Sequence, residues 1–304
     1  MARFAALLFP ALLFFSITSV IIPTELASEP TAIACKGHAG ALRGVTGVVD
    51  GETLSLDDGS QVRLVGALSP RAWDGNTAVG TWQPEQDAIA ALKTLTTGKS
   101  IRLYDLDGQR HDRYGRRLAQ VDIITNSENQ NENIWLQAEM IKRGHARAYG
   151  HPGNLACLSQ LQKFETVAQA ARIGLWANAA YGVRSAANTN ELNRYLATYQ
   201  LVSGTITGVT KRKRYTYLNF APGPSGDVKK PAKNKPPGAN ADTPTPSWRT
   251  DFTIYIPRNN IGKEGAAIFS NEIVGKSIIV RGWLENRNGP AIQLHDISQI
   301  KFLN

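Results

Sequence analysis

The sequence predicts an α+β, mainly β fold: an OB-type five-stranded barrel packed by three helices, followed by a second small OB-like barrel. Three observations lead to this prediction. Residues 40–180 begin with short β-rich segments separated by Asp-Gly turns and continue with segments of helical spacing. Residues 200–304 contain five further strand-like segments. Five strands in little more than a hundred residues are typical of a small closed barrel.

Residues 40–180 contain five predicted strands and three predicted helices. The strands cover residues 45–49, 52–56, 62–65, 100–104 and 118–124. The first helix begins at Pro84, because proline suits the first helical turn, and Gly98 ends it. The other two helices cover residues 134–143 and 155–172, and each ends close to a glycine.

The second predicted barrel follows a linker over residues 181–199. Its strands cover residues 201–209, 215–220, 251–256, 277–283 and 291–294. Residues 221–247 are rich in Pro, Gly and Lys with almost no apolar content, which predicts a flexible insertion. Residues 187–304 contain 16 Lys and Arg against 8 Asp and Glu, so nearly all of the net charge of +9 lies there.

The first 34 residues have the layout of a secretory signal peptide. Arg3 precedes an apolar stretch over residues 4–22, and a polar segment follows. The alternative is a retained signal anchor, since the stretch is almost long enough to span a membrane. We therefore expect an exported protein, periplasmic or secreted, with membrane anchoring as the alternative. No later run of about 20 apolar residues occurs, which excludes a multi-spanning membrane protein.

The two cysteines, Cys35 and Cys157, bear on both redox state and metal binding. Export to an oxidising compartment favours one disulfide between them, and the alternative is two unpaired thiols. Two cysteines are too few for a disulfide-dense scaffold or a cysteine-only zinc site. The five histidines have no paired spacing, which excludes the common His-rich metal motifs.

Three local motifs in the first half draw attention, although each alone is ordinary. They are Val-Asp-Gly-Glu-Thr at 49–53, Arg-Leu-Val-Gly at 63–66 followed by Pro70, and Asp-Arg-Tyr-Gly-Arg at 112–116. With Gly-Leu-Trp at 174–176, their order and spacing resemble the thermonuclease (staphylococcal-nuclease-like) family over about residues 40–180. The family pattern runs V-x-D-G-D-T, then R-L-x-G-x-D-x-P-E, then D-x-Y-G-R.

The resemblance implies phosphodiester hydrolysis with Ca²⁺ as the cofactor and no small-molecule cofactor. In that family two carboxylates bind Ca²⁺, a glutamate is the general base or orients water, and two arginines hold the phosphate. Hydrolysis concentrates negative charge on the phosphate oxygens, which a hard cation and bidentate guanidiniums stabilise.

Four positions keep the family's chemistry. Glu52 stands where the family has its first metal-binding aspartate, one methylene longer. Arg63 and Arg116 match the two phosphate arginines, and Tyr114 keeps the aromatic residue of the same turn.

Two positions depart from the family. Its second metal carboxylate falls on Leu68, and its catalytic glutamate falls on Arg71. Leucine offers no oxygen to Ca²⁺, and arginine cannot be deprotonated to act as a base. Losing a positioned base alone removes about 10²–10⁴ in rate. We therefore expect weak or absent Ca²⁺ binding and weak or lost hydrolysis.

The arginines that remain suit phosphate binding, and the expected phosphate site consists of Arg63, Arg71, Arg116 and Tyr114. Two alternatives stay open. An active metal-dependent endonuclease on DNA or RNA would need a rearranged carboxylate set that includes Asp50 or Asp74. A purely structural role would have Arg63 and Arg116 pair with Glu52 and hold the barrel together.

A basic run in the second half is a further candidate for nucleic-acid binding. Lys211, Arg212, Lys213 and Arg214 directly precede the strand aromatic Tyr215. Basic charge interleaved with aromatics suits single-stranded nucleic acid. The alternatives are an anionic envelope polymer as partner, in a non-enzymatic envelope module, and a solvated loop beside core aromatics.

Overall fold

The computed structural model of the chain describes Cys35 and residues 37–78, 80–105, 107–125, 133–151, 154–220, 251–259 and 269–303. The predicted signal segment at 1–34 and the predicted insertion at 221–247 lie outside these described residues. Ala32–Asn304 belong to one compact unit. Among the described helices, none is long and apolar enough to cross a membrane.

The first half folds into a closed barrel with helices packed on it. Its elements are β1 (His38–Asp50), β2 (Thr53–Leu56), β3 (Gln61–Leu64), β4 (Ala67–Leu68), α1 (Gln83–Thr96), β5 (Ser100–Asp105), β6 (Arg117–Ile123), β7 (Ile134–Trp135), α2 (Leu136–Lys142), β8 (Arg147–Ala148) and α3 (Leu158–Ala170). The barrel order is β3-β2-β1-β5-β6, and β3 pairs in parallel with β6 to close the ring. This confirms the predicted five-stranded barrel packed by three helices.

Strand pairing moves two boundaries in the first half away from the prediction. The predicted helix over residues 134–143 begins only at Leu136, because Ile134 and Trp135 pair with the end of β6 and form β7. Ile and Trp both favour strands, and the neighbouring edge of β6 decides the outcome. β1 begins at His38 rather than at residue 45, because its first half pairs antiparallel with β5.

The second half contains a second closed barrel. Its elements are β9 (Arg184–Ser185), α4 (Thr189–Arg194), β10 (Tyr199–Lys211), β11 (Tyr215–Phe220), β12 (Thr253–Pro257), β13 (Ser277–Asn286), β14 (Pro290–Gln293) and β15 (Ile300–Phe302). The ring runs β10-β11-β12-β14-β13 and closes where β13 pairs with β10. The segment over residues 181–199, predicted as a linker, contains β9 and α4. The division into domains on either side of it stays a prediction.

Apolar packing and buried ion pairs join the second barrel to the first half. Leu68 from β4 and Trp176 share a buried cluster with Tyr199 and Leu201 of β10. Arg281 of β13 lies 2.7 Å from the carboxylate of Glu165 in α3, and both side chains are buried. Burial lowers the pKa of Arg281, but the charges and hydrogen bonds of Glu165 and Tyr199 together raise it by more, so the pKa lies above its usual value. Arg281 therefore remains a cation inside the protein.

A disulfide links Cys35, ahead of β1, to Cys157 at the start of α3. This is the pair expected from the sequence. The bond spans a separation of 122 residues, so it closes most of the first half into one loop. A cross-link over such a long loop restricts the unfolded chain strongly.

Candidate functional site

The site lies at the end of the first barrel where the β1–β2 turn meets the segment after β4. Asp50 ends β1, and Glu52 follows Gly51 in the turn. A Cβ on Gly51 would lie 2.8 Å from the Cβ of Ser69 and 3.0 Å from that of Ala88. Only glycine allows this approach, which brings the turn and the segment that carries Ser69 together.

Glu52 is the centre of the site. Its side chain is completely buried, and Oε1 accepts from the Nη2 groups of Arg63 at 2.7 Å and Arg71 at 2.6 Å. Oε2 accepts from the backbone N–H of Ser69 at 2.9 Å. A buried carboxylate is tolerated only when its oxygens are paired in this way. The Ser69 hydroxyl lies 3.4 Å from Oε2 and is a fourth donor. All four donors to the carboxylate therefore belong to the protein itself.

Asp50 is the second acid of the site. Its Oδ1 accepts from the backbone N–H of Glu52 at 2.9 Å, and its Oδ2 lies 3.5 Å from Arg71 and 3.8 Å from Arg116. Burial lowers the pKa of Arg71, but the carboxylates of Glu52 and Asp50 raise it by more, so the pKa lies above its usual value. Arg71 is therefore a permanent cation between two carboxylates.

Arg116 enters the site from the turn before β6. Its Nε donates to Asp112 at 2.7 Å, and its Nη1 donates to the hydroxyl of Thr53 at 3.2 Å. The alternative of a purely structural role pairs both Arg63 and Arg116 with Glu52. Arg63 contacts Glu52, whereas Arg116 contacts Asp50 and Asp112 among the described residues. Arg116 reaches Asp112 instead because the two lie in one tight turn.

Exposed aromatic rings border the arginines. Tyr114 is 67% exposed, and the guanidinium of Arg116 lies 5.3 Å from its ring centroid. Trp73 is 52% exposed and lies 5.2 Å from the guanidinium of Arg71. The guanidinium of Arg113 also lies 4.8 Å from the Tyr114 ring centroid. Cation–π contacts of this kind orient the guanidiniums beside these exposed rings.

Tyr149 links the site to the second barrel. Its ring packs edge-on against Tyr199 of β10 at 5.3 Å, and Tyr199 packs against Trp283 of β13 at 5.9 Å. Burial raises the pKa of Tyr149, while a hydrogen bond from Trp283 and the charge of Arg63 act in the opposite direction. The tyrosine thus lies within electrostatic reach of the arginines and in contact with the second barrel.

Comparisons with known proteins match part of this chain. The family model described as "Staphylococcal nuclease homologue" matches residues 61–178. A thermonuclease from Staphylococcus hyicus is 32% identical over 139 residues, which are 43% of this chain and 73% of that protein. The chain belongs to the staphylococcal nuclease family. The SPbeta prophage-derived endonuclease YokF from Bacillus subtilis (strain 168) is 28% identical over 137 residues, which are 44% of this chain and 43% of that protein.

Membership in the staphylococcal nuclease family confirms the resemblance and makes this chain a member of a nuclease family. The family model ends at residue 178, ahead of β9, so the second barrel lies beyond the matched residues. The chain spans less than half the length of YokF.

The residues present do not fit the Ca²⁺ ion that the family resemblance implied. Ca²⁺ takes six to eight oxygen ligands, whereas the Glu52 oxygens already accept from Arg63, Arg71 and Ser69. Leu68 is buried in the apolar cluster with Trp176 and offers no oxygen. Among the described residues, no three His, Cys, Asp or Glu side chains come together as a candidate metal site.

Asp74, a carboxylate considered for a rearranged site, has other partners. Its Oδ2 accepts from Arg147 at 3.3 Å, from the Tyr181 hydroxyl at 3.2 Å and from the backbone N–H of Arg71 at 3.2 Å. Arg147 is 1% exposed and also donates to the carbonyl of Tyr199. Asp74 therefore forms an ion pair with Arg147, a buried arginine that joins the first half to the second barrel.

The nucleic-acid-binding residues predicted in the second barrel lie at the β10–β11 connection. They do not belong to the site around Glu52. Residues 211–214 are all exposed, and Tyr215 is half-buried on the outer face of β11. Trp73, Tyr149 and Ser69 belong to the first site but carry no sequence signal that singles them out. Ser69 acts through its backbone N–H, which no residue type reveals.

Proposed function

We propose that the chain binds nucleic acid or another polyanion and that its phosphodiester hydrolysis is weak or lost. The observation that carries the proposal is the Glu52 carboxylate, which is buried and whose oxygens accept from Arg63, Arg71 and Ser69. A metal ion at Glu52 would have to displace both guanidiniums. The charge that the family provides with Ca²⁺ is provided here by Arg71.

The general base of the reaction also lacks a replacement. Arg71 stands at the position that we match to the catalytic glutamate, and a guanidinium cannot accept a proton from water. Asp50 lies nearby, but it faces Arg71 and Arg116 and holds the N–H of Glu52. Both oxygens of Asp50 are thus already engaged by groups of the protein. An active endonuclease with a rearranged carboxylate set is the second candidate, and a nuclease assay with Ca²⁺ or a chelator decides between the two.

Phosphate contacts remain available at the edges of the arginines. Arg63 and Arg116 keep 21% and 14% of their side chains exposed, and the exposed rings of Tyr114 and Trp73 flank the site. Guanidinium donors beside exposed aromatics fit a backbone phosphate next to an unpaired base. The anionic partner that matches both features is a nucleic-acid strand.

Export is part of the proposal. The layout of residues 1–34 supports a periplasmic or secreted protein, or one anchored by that segment. The disulfide between Cys35 and Cys157 fits an oxidising compartment.

Fluorescence anisotropy with labelled single-stranded DNA in a chelator-containing buffer tests binding without cleavage. We expect binding, an intact oligonucleotide on a gel afterwards, and affinity that falls with salt. Arg116→Ala should reduce the slope of log affinity against log salt by about one unit. Arg43→Ala is the matched control, because Arg43 also pairs with a carboxylate of this barrel, Asp58, at 2.6 Å. Equal salt slopes for both variants and the wild type would remove Arg116 from the phosphate contacts, and no binding at low salt would overturn the proposal.

A further inference from the structure

The second barrel repeats the strand order of the first. In each, the first three strands pair in sequence, the third pairs in parallel with the fifth, and the fourth pairs with the first. The first site uses the connection between strands one and two, with Glu52, and that between strands four and five, with Arg116. The same two connections in the second barrel are the β10–β11 loop and the β13–β14 loop. OB-type barrels bind oligonucleotides on the face between these loops.

The face between these loops carries aromatic side chains. Tyr215 and Tyr217 alternate with buried Thr216 and Leu218, so both rings lie on the outer side of β11. Tyr217 pairs with Tyr255 of β12, whose ring packs edge-on against Tyr215 at 5.7 Å. The rings of Tyr215 and Tyr217 are 6.1 Å apart. The two half-buried rings form an aromatic platform with Tyr255 packed beside them.

An arginine from the β13–β14 loop lies over this platform. The guanidinium of Arg287 is 4.5 Å from the Tyr215 ring centroid and 4.0 Å from that of Tyr255. Guanidinium planes stack on bases as aromatic rings do, and they add a positive charge. Arg287 therefore extends the platform and brings a cation to it.

Further cations lie at the end of the platform next to the β10–β11 loop. The backbone N–H of Arg212 donates to the carbonyl of Tyr215 at 2.8 Å, which places Arg212 opposite that residue. The backbone N–H of exposed Arg258 donates to the carbonyl of Arg214 at 3.1 Å, so this loop and the end of β12 meet. Glu285 also lies here, and its carboxylate accepts the hydroxyl of Tyr255. The three arginines at this end outnumber the Glu285 carboxylate.

We propose that this face of the second barrel binds single-stranded nucleic acid, with bases on the Tyr215, Tyr217 and Arg287 platform and phosphates on Arg212, Arg214 and Arg258. The inference rests on the proposed function, because it names the surface and the form of nucleic acid. Stacking needs an unpaired base, so the strand must be single. A polyanion without bases would use the arginines and leave the rings unused.

The test uses the full chain with labelled oligo-dT of about 15 nucleotides, within the reach of an OB barrel, and a duplex of equal length. Tyr215→Ala with Tyr217→Ala should weaken oligo-dT binding at least about fivefold and leave duplex binding nearly unchanged. Tyr215→Phe with Tyr217→Phe is the matched control and should keep the affinity, because the rings remain. Arg287→Ser, at a surface turn, should weaken oligo-dT binding without relying on the tyrosine variants.

Replacing residues 211–214 by Ser should reduce the salt slope by about two to four units for both probes. One outcome would overturn the binding role of this face and leave the proposed function standing. In that outcome, oligo-dT binding survives in the double tyrosine-to-alanine variant, in Arg287→Ser and in the 211–214 serine variant, but falls in Arg116→Ala. A different outcome would overturn base stacking in favour of a polyanion without bases. In it, only the 211–214 serine variant loses affinity, the loss is equal for oligo-dT and duplex, and heparin competes equally well. No binding of any probe would overturn both proposals.

Discussion

The Arg71 guanidinium lies 2.6 Å from Oε1 of Glu52 and shares that oxygen with Arg63. Two guanidiniums on one buried carboxylate oxygen neutralise it from inside the protein. Because the other oxygen accepts from Ser69, the carboxylate has no lone pair directed to solvent. This relationship explains how a member of a nuclease family retains its site acid while lacking the environment that Ca²⁺ requires.

Glu52→Gln should lower the free energy of unfolding by about 2–4 kcal/mol. The variant removes the carboxylate partner of Arg63 and leaves Arg71 with Asp50 alone, at 3.5 Å. Both arginine side chains are about one-fifth exposed, which keeps the loss below that of a fully buried pair. Urea unfolding measures it. Glu139→Gln is the control, since its pair with half-exposed Arg143 should cost about 0.5 kcal/mol or less. Equal losses in both variants would contradict a special role for Glu52.

Arg71→Glu should create Ca²⁺ binding that the wild type lacks. The change removes one guanidinium from Glu52 and adds a second carboxylate beside it, which supplies hard oxygen ligands. Ca²⁺ at about ten times its Kd would raise the stability by about 1.4 kcal/mol, seen as a thermal shift of a few degrees. Arg71→Gln removes the same guanidinium without adding charge and should show no shift. A Ca²⁺-induced shift in the wild type would oppose the account.

Acid should destabilise the protein partly through Asp112. Burial raises the pKa of this carboxyl, but the hydrogen bonds from Arg116 and from the N–H groups of Tyr114 and Arg116 lower it by more, so it lies below the usual 3.8. Its contribution is therefore complete above about pH 4 and is lost as the pH falls through the lower folded-state pKa. Unfolding at a series of pH values should show a shallower acid loss for Asp112→Asn. An identical pH dependence would contradict the pairing with Arg116.

The disulfide should contribute about 4–5 kcal/mol, because it closes a loop of over a hundred residues. Denatured but unreduced protein should show no free thiol in a colorimetric assay. Cys35→Ser with Cys157→Ser should unfold at markedly lower urea concentration. Two titratable thiols, or an unchanged midpoint in the double variant, would oppose this expectation.

The strand at 215–220 was predictable, and the first half of β1 was not. Tyr, Thr and Phe favour strands, and successive positions from Tyr215 to Phe220 alternate between the two faces of β11. Residues 38–44 gave no such signal, because glycines and an arginine interrupt the pattern, yet they pair with β5. The same alternation left open whether Tyr215 and Tyr217 face the core, and burial of Thr216 and Leu218 answers that they face outward.

The candidate site was predictable only where a motif carries it. Glu52, Arg63 and Arg116 follow from the spaced motifs, and the structure brings all three to one end of the barrel. The contact of Glu52 with Ser69 uses a backbone N–H, so no residue type signals it. The approach of Tyr149 to Tyr199 and Trp283 depends on how the two barrels pack, which local patterns do not encode.

A nuclease assay on single-stranded DNA at neutral pH, with Ca²⁺ or with a chelator, tests the central claim most directly. Wild type and Glu52→Gln are compared in the same preparation, with oligonucleotide length as the readout. Because Glu52 is neutralised by Arg63 and Arg71, we predict no Ca²⁺-dependent cleavage above background in either protein. Clear turnover by the wild type that disappears both with the chelator and in Glu52→Gln would contradict the account, because Glu52 would then hold the metal ion.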